Sequence, residues 1–241
     1  MTEQEELDFG ENADYLALPT RDLLEKYGKG SHIPGSGSAA ALTALFGIEM
    51  MKTVCKLTLQ KSTYRKEHSQ MEFILAQLEN KYKPKLIALF EQDIKVFHRL
   101  SMLRMERDNT ENPKQKEDIN RKALAEQRIA TEIPIQICDI CLEILGLAIA
   151  IFDRGFKSAR GDSGVAISNL LSSVSGGLFI IFLNLKPFRK SEWLDKTKAK
   201  AEDLARKYNS FQAVAFEKVL ELYESLEDSN KQFKFEIFSE E

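Results

Sequence analysis

Apolar side chains recur at helical spacing along most of this chain, and small or polar residues interrupt the pattern at only a few places. The periodicity predicts helices over residues 21–27, 38–61, 64–81, 84–107, 119–152, 165–185 and 191 to 225 or beyond. Segments rich in β-branched residues are few, and the chain holds only 6 prolines and 12 glycines. We therefore expect an all-α fold, a multi-helix bundle in a single domain.

The two ends of the chain differ in composition from the helical part between them. Residues 1–18 are polar, and we predict an N-terminal arm there. Residues 19–230 form the predicted helical domain, and residues 231–241 form a tail in which Phe233–Phe238 alternates as a strand does. Pro134 falls inside the helix predicted over 119–152, and its missing backbone donor predicts a kink or a break near Ile133.

Composition argues against some classes of function. The chain has 241 residues, is 43% hydrophobic and 29% charged, and carries a formal net charge of −3. It has no basic tail or stripe, which argues against nucleic acid because that binding draws mostly on phosphate contacts. Gln136, Asp139 and Glu143 interrupt the longest apolar stretch, residues 133–152. We therefore expect a buried helix there and no membrane span.

Cysteine and histidine patterns favour a reduced setting without a metal. The N-terminus lacks the apolar core of a signal peptide, and the count of three cysteines predicts a cytoplasmic protein. Cys138 and Cys141 form a lone CxxC pair without a βαβ context, which favours core packing over redox chemistry. The three histidines lack the spacing of zinc ligands, so we expect no metal site.

A turn of small residues leads directly into the helix predicted over 38–61. Residues 34–41 read Pro-Gly-Ser-Gly-Ser-Ala-Ala-Ala, and Ser36 or Ser38 can cap the helix. Gly35 and Gly37 permit backbone conformations closed to other residues, and the free N–H groups of a helix start attract anions. A glycine hinge feeding a closely packed helix explains the pattern too, so the residues alone leave both interpretations open.

Two aspartates are candidates for chemistry. Asp93 shares a helical face with apolar residues three and four positions away, where burial raises the pKa of a carboxyl group and suits it to proton transfer. A partly buried aspartate that caps a neighbour or pairs with an arginine also fits this position. Asp162 follows a glycine at a predicted helix start, where it either caps the helix or points at a ligand.

Six segments occur in the order and spacing of one family's motifs. Residues 34–41 match Pro-Gly-Gly-Gly-Ser-x-Ala-Ala with Ser36 in place of a glycine. The other matches are Leu57-Thr58 with Lys61, Asp93 with Val96 and Phe97, Ile133–Ile135, Gly161–Ala166 and Ile180–Leu185. Together they resemble the cyclodeaminase/cyclohydrolase family. That family includes the C-terminal domain of formiminotransferase-cyclodeaminase and stand-alone bacterial methenyltetrahydrofolate cyclohydrolases.

The resemblance implies an all-helical, homodimeric enzyme of folate one-carbon metabolism, with a tetrahydrofolate derivative as substrate and no metal. Its activity would be that of a cyclodeaminase, which releases ammonia to give methenyltetrahydrofolate, or of a cyclohydrolase, which interconverts methenyl- and formyltetrahydrofolate. Asp93 stands at the position of the proposed catalytic residue. The implied substrate-binding residues are Pro34, Gly35, Ser36, Gly37, Ser38, Lys61, Asp162 and Asn184, with Lys61 a candidate for a folate carboxylate.

Departures from the motifs keep a second hypothesis open. Ile180 stands where the family has an asparagine, and Gly161 stands where it has a serine. Phe182 stands where the family often has a polar or basic residue. Losing a polar group from a pocket built for a polar ligand costs orders of magnitude in selectivity. The alternative is a non-catalytic dimeric helical module that binds a ligand or a partner protein on the same scaffold.

Overall fold

The computed structural model describes the backbone of residues 14–238 and the side chains of residues 14–226. This part of the chain is helical and contains no strand. Its α-helices are α1 (Thr20–Gly28), α2 (Ser36–Leu59), α3 (His68–Gln77), α4 (Lys83–Asn109), α5 (Pro113–Arg154), α6 (Arg160–Leu185) and α7 (Glu192–Phe238). Three 3₁₀ segments, Tyr15–Ala17, Ser62–Glu67 and Lys157–Ala159, and the π-helical segment Leu78–Tyr82 connect or precede them. The all-α prediction is confirmed for these residues.

Helix α2 lies in the centre of the bundle because its residues are small enough for close approach. It packs against α4, α5 and, most extensively, α6. The Ser173 hydroxyl donates to the Ala40 carbonyl over 2.8 Å, and a Cβ at Gly47 would lie 3.2 Å from the Ala166 carbonyl. Because residue 40 meets 173 while residue 47 meets 166, α2 and α6 run antiparallel.

Helix α5 runs without a break through Pro134, so the break that we allowed near Ile133 does not occur. A proline cannot donate to the carbonyl four residues before it, which leaves the Ala130 carbonyl without its helical partner. The Asn184 side chain of α6 supplies the missing donor over 3.0 Å. This hydrogen bond joins α5 to the C-terminal end of α6.

Several predicted boundaries were wrong. Helix α6 begins at Arg160 rather than at the predicted residue 165, which places Asp162 in its first turn, after the N-cap Ala159. The strand-like segment 233–238 belongs to α7. The alternating apolar pattern covers only six residues there. A helix that already exists gains one backbone hydrogen bond for each residue added to it, so the helix continues through this segment. The predicted arm lies mostly in residues 1–13, outside the described residues.

Three helical stretches are long and apolar enough to cross a membrane by length and composition alone: Ser36–Leu59, Pro113–Arg154 and Lys157–Leu185. The first two bury 56% of their most apolar window within the fold, whereas the third buries 39%. Helix α6 therefore keeps an apolar face that the other residues described in the structure do not cover. Phe179, Phe182 and Leu183 on that face are 71%, 45% and 57% exposed.

Candidate functional site

Asp93 of α4 caps the N-terminus of α2. Its Oδ2 accepts a hydrogen bond from the Ser38 backbone N–H at 2.7 Å. The prediction that a serine side chain caps this helix is wrong, since Gly35 is the N-cap residue and no side chain of its own caps it. The Ser38 hydroxyl instead donates to the Gly35 carbonyl over 2.8 Å. A carboxylate from another helix takes the capping position that satisfies a free N–H.

Gly37 allows this carboxyl group to approach. A Cβ built at position 37 would lie 2.0 Å from Asp93 Oδ1, a separation that non-bonded atoms cannot adopt. Only a residue without a side chain leaves the carboxyl group its place beside the helix start. The close approach of Asp93 therefore explains why the second glycine of the Pro-Gly-Ser-Gly-Ser turn is a glycine.

A tyrosine of α1 holds the turn from the other side. The Tyr27 hydroxyl donates to Ser38 Oγ over 3.2 Å, and burial raises the pKa of Tyr27 to about 12. Tyr27, Ser38 and the Gly35 carbonyl thus form a chain of hydrogen bonds that fixes the backbone next to Asp93. The Ile33–Pro34 peptide bond that enters the turn is cis, and Pro34 is buried.

Burial dominates the electrostatics of Asp93. The residue is 8% exposed, and the loss of water raises the pKa of its carboxyl group to about 6, although the Ser38 N–H acts in the opposite direction. Its neighbours on α4 include Phe90, which is buried, and Phe97. A carboxyl group with such a pKa takes up and releases a proton near neutral pH, which is what a general acid or base requires.

A cavity of about 280 Å³ opens in front of this carboxyl group. It lies between the turn before α2, the middle of α4, the Pro134 region of α5 and the end of α6. Its lining residues are Ser31, His32, Gly35, Ser36, Gly37, Asp93, Phe97, Ala130, Ile180 and Asn184. Of the predicted site residues, Gly35, Ser36, Gly37, Asp93 and Asn184 therefore meet at one place. Ser38 lies behind them, fully buried.

Two predicted site residues lie elsewhere. Lys61 follows the C-terminal end of α2, about 35 Å from Ser38 at 1.5 Å per helical residue. Its ammonium group lies over the Phe156 ring, 5.1 Å from the centroid. Asp162 lies in the first turn of α6, about 33 Å along that helix from Asn184. Within one chain, neither side chain reaches the cavity around Asp93.

His32 and Phe97 line the cavity although neither was predicted as a site residue. Their ring centroids are 6.4 Å apart and the rings are tilted by 49°. We tested the histidines only for metal-ligand spacing, and His32 stands alone. Its position two residues before the Pro34 turn was the signal that could have found it. Ile180, noted for its departure from the family motif, does line the cavity.

The CxxC pair is part of the core, as predicted. Cys138 Sγ donates to the Val174 carbonyl over 3.5 Å and Cys141 Sγ to the Ser173 hydroxyl over 3.3 Å. All three cysteines are free and buried, and burial raises the pKa of each thiol. These thiols therefore stay protonated and unreactive near neutral pH.

The chain matches a known protein family over most of its length. A model of formiminotransferase-cyclodeaminase proteins matches residues 19–203, which is most of the chain. The chain belongs to the formiminotransferase-cyclodeaminase family. The match ends within α7, so the rest of that helix lies beyond the family segment.

Individual relatives in this family are distant. A methenyltetrahydrofolate cyclohydrolase of Methylorubrum extorquens is 24% identical over 155 residues, which cover 64% of this chain and 72% of that protein. A formimidoyltransferase-cyclodeaminase of Sus scrofa is 25% identical over 181 residues, 73% of this chain but only 32% of that longer protein. The formiminotetrahydrofolate cyclodeaminase of Thermotoga maritima has the same fold, with a TM-score of 0.74 and 15% identity over 87% of this chain and 100% of that one.

Proposed function

We propose that the protein is a folate one-carbon enzyme, a formiminotetrahydrofolate cyclodeaminase or a methenyltetrahydrofolate cyclohydrolase. One observation carries the proposal: a buried carboxyl group with a pKa of about 6 faces a cavity at the glycine-rich start of α2. Two relatives supply the substrate class, since the cyclohydrolase and the Thermotoga maritima cyclodeaminase are both named for a tetrahydrofolate derivative. A tetrahydrofolate derivative is accordingly the proposed substrate.

The cyclodeaminase reaction needs one group that moves a proton between two nitrogens. N10 of the folate attacks the formimino carbon, so an N10–carbon bond forms and the N10 proton must leave. In our proposal the Asp93 carboxylate takes that proton and passes it to the nitrogen that departs. The carbon–nitrogen bond to this nitrogen then breaks, and ammonia leaves with its electron pair. Since the methenyl product carries one positive charge, balance requires one further proton from solvent.

The cyclohydrolase reaction makes a similar demand on the same carboxyl group. A water molecule attacks the methenyl carbon, and Asp93 takes one proton from that water. The carbon–N5 bond then breaks with its electron pair on N5, and Asp93 passes its proton to N5. The product is 10-formyltetrahydrofolate, and one proton is released to solvent. Both reactions use one proton-accepting group beside one bound folate, so the cavity supports them equally.

Polar groups around Asp93 would bind and orient the pterin. Among the described residues, the backbone N–H groups of Ser36 and Gly37 have no protein acceptor, which leaves them free for a ligand oxygen. The Asn184 amide already donates to Ala130, so its Oδ1 is the part of the side chain left to accept from a ligand N–H. The Phe97 and His32 rings provide an apolar flank.

We propose a homodimer formed through the uncovered face of α6. Val165, Phe179, Phe182 and Leu183 are 51%, 71%, 45% and 57% exposed, and Phe46 of the adjacent α2 is 54% exposed. Large contiguous apolar surfaces on soluble proteins commonly serve as interfaces, and a two-fold dimer is the usual form. Sedimentation at micromolar concentration should show a dimer, and a folded monomer would contradict this part of the proposal.

We also propose a cytoplasmic location and a reaction without a resident metal. Free, buried cysteines support the first. For the second, no group of three or more His, Cys, Asp or Glu side chains within the described part of the chain is arranged to hold a metal ion. Metal analysis of the purified protein, alongside activity after chelator treatment, checks this prediction.

A second candidate function rests on Ile180. An apolar side chain lines the cavity where the family motif has an asparagine, which favours a binding module that has lost catalysis. Calorimetric titration with tetrahydrofolate and 5,10-methenyltetrahydrofolate, together with the absorbance of methenyltetrahydrofolate during turnover, tests both functions. Binding with turnover supports the enzyme, and binding without turnover supports the module. If neither folate binds, the protein is neither a folate enzyme nor a folate-binding module.

A further inference from the structure

A second concave surface lies between the N-terminal half of α5 and the loop that joins α6 to α7. It is a cleft of about 700 Å³, larger than the cavity at Asp93, and the two share no lining residue. We call it the α5 cleft. Its lining includes the carboxylate of Glu117 and the cations of Arg121, Arg128, Arg189 and Lys190.

Positive charge in the α5 cleft is largely uncompensated. Four of the lining side chains are cationic, and Glu117 is the one carboxylate among them. Arg121 pairs with Asp118 over 2.7 Å, outside the cleft lining. Over the described side chains, residues 14–226, no carboxylate lies within 4.0 Å of Arg128, Arg189 or Lys190. The lining side chains therefore carry a formal excess of three positive charges, four cations against one carboxylate, which favours an anionic ligand.

Aromatic rings hold one of these cations in place. The guanidinium carbon of Arg128 lies 5.0 Å from the centroid of the Trp193 ring and 5.8 Å from that of Phe188. The two rings are themselves 4.7 Å apart. Stacking occupies a face of the guanidinium group and leaves its N–H edge available, which is the edge that binds carboxylate or phosphate in a bidentate manner. Arg128 is thus positioned in advance for an anion.

Apolar groups fill the space between the cations. Leu124, Ala125, Pro187 and Phe188 line the same cleft. An inorganic ion would use only the charges and leave this apolar wall in contact with water. A ligand that carries both anionic groups and a flat apolar part would use the charges and the wall together.

We propose that the α5 cleft binds an aromatic ligand with two or more negative charges, held by Arg128, Arg189 and Lys190. Two sources offer this chemistry. One is an aromatic dicarboxylate, such as the p-aminobenzoyl-glutamate part of a folate. The other is an aromatic phosphate, such as a nucleoside monophosphate. Binding in the α5 cleft does not require turnover at Asp93, so its test is independent of the proposed enzyme function.

Trp193 is a built-in reporter for this test because the chain contains a single tryptophan, in contact with Arg128. The purified full-length chain is titrated at low salt with p-aminobenzoyl-glutamate, with adenosine monophosphate and with inorganic phosphate. Tryptophan fluorescence is followed, and calorimetry on the same pairs gives an independent Kd. Saturable binding of one aromatic anion, much tighter than that of phosphate, is the expected result, and the tighter of the two identifies the source.

Charge-matched variants then locate the binding. Arg128→Gln should weaken the binding about tenfold or more, since hydrogen bonds to charged groups are the strong ones. Arg128→Lys keeps the charge but loses the planar fork, so it should recover only part of the affinity. Lys66→Gln removes an exposed cation in the Ser62–Glu67 segment and should leave Kd within about twofold.

Three results would overturn the proposal. They are the absence of saturable binding by either aromatic anion, phosphate binding as tight as that of the aromatic anions, or an unchanged Kd in Arg128→Gln. Circular dichroism and thermal melting of each variant show whether it is folded. If Arg128→Gln does not fold, the Arg189→Gln and Lys190→Gln variants, which change exposed loop residues, give the same reading.

Discussion

The two ends of α2 contain similar polar residues but offer different chemistry. At its N-terminus, Asp93 is 8% exposed, accepts the Ser38 N–H and faces a cavity. At its C-terminus, the Thr58 hydroxyl accepts the Phe156 N–H over 2.9 Å and Lys61 lies exposed over the Phe156 ring. The polar groups of the C-terminal end thus hold chain connections together, whereas those of the N-terminal end converge on an open space.

The two charged groups, the Asp93 carboxyl and the Lys61 ammonium, differ in burial. A carboxyl group that has lost its water has a raised pKa and responds to small changes in its surroundings, whereas an exposed ammonium group keeps its hydration. The central claim is therefore that the chemistry of this protein takes place at the Asp93 end of α2.

The largest effect is expected from Asp93→Asn, which keeps shape and polarity but cannot exchange a proton. Turnover of the folate substrate should fall about 10²–10⁴-fold, the usual range for the loss of a general acid or base. The variant should still fold, and its folate affinity should change little. The absorbance of methenyltetrahydrofolate, followed for wild type and variant side by side, gives the result. Unchanged turnover would remove Asp93 from the mechanism.

Stability against pH should respond to the same variant. A carboxyl group whose pKa rises from 3.8 in the unfolded chain to about 6 in the fold holds its proton more tightly in the fold. Wild-type stability should therefore decline as pH rises from about 4 to above 6 and stay reduced beyond that range. The difference in the free energy of unfolding between Asp93→Asn and wild type should therefore shift by about 3 kcal/mol in favour of the variant from the low to the high end of this pH range. Denaturant unfolding at both ends of the range measures this shift, and a difference that does not vary with pH would contradict the raised pKa.

Gly37→Ala should destabilise the fold by about 1–3 kcal/mol, as overpacking does, because the new Cβ displaces the Asp93 carboxyl group. Turnover should fall with it. Gly164→Ala in α6 is a matched control, since nothing lies within 4 Å of a Cβ there and the position is helical. That variant should gain about 0.5–1 kcal/mol from helix propensity. Thermal melting of the pair gives the comparison, and equal effects would show that position 37 is not special.

The smallest effects are expected from Lys61→Gln and Asp162→Asn. Both side chains lie far from the cavity within one chain, so folate affinity and turnover should stay within about twofold of wild type. Steady-state kinetics and calorimetry on the two variants supply the numbers. A loss of more than about tenfold in affinity or turnover would show that Lys61 or Asp162 of a second chain completes the site. The proposed dimer would then be needed for catalysis.

Much of the fold followed from the sequence because helical periodicity is a local signal. The chemistry at the start of α2 was harder to predict, because the cap comes from Asp93, fifty-five positions away, rather than from an adjacent serine. Lys61 and Asp162 matched family motifs, but neither lies at the cavity. The position of a motif along the chain does not determine its position in the fold. Asn184 was a motif residue as well, yet its bond to Ala130 follows only once Pro134 is known to lie within an unbroken helix.

A structure of the Asp93→Asn variant with 5,10-methenyltetrahydrofolate bound tests the central claim most directly. This folate is the product of one proposed reaction and the substrate of the other, and the variant slows its conversion. We predict the pterin in the cavity between the Gly35–Gly37 turn and Asn184, with the one-carbon unit within about 3–4 Å of the side chain at position 93. A folate bound beside Lys61 and Asp162 of the same chain, or one held away from position 93, would contradict the account.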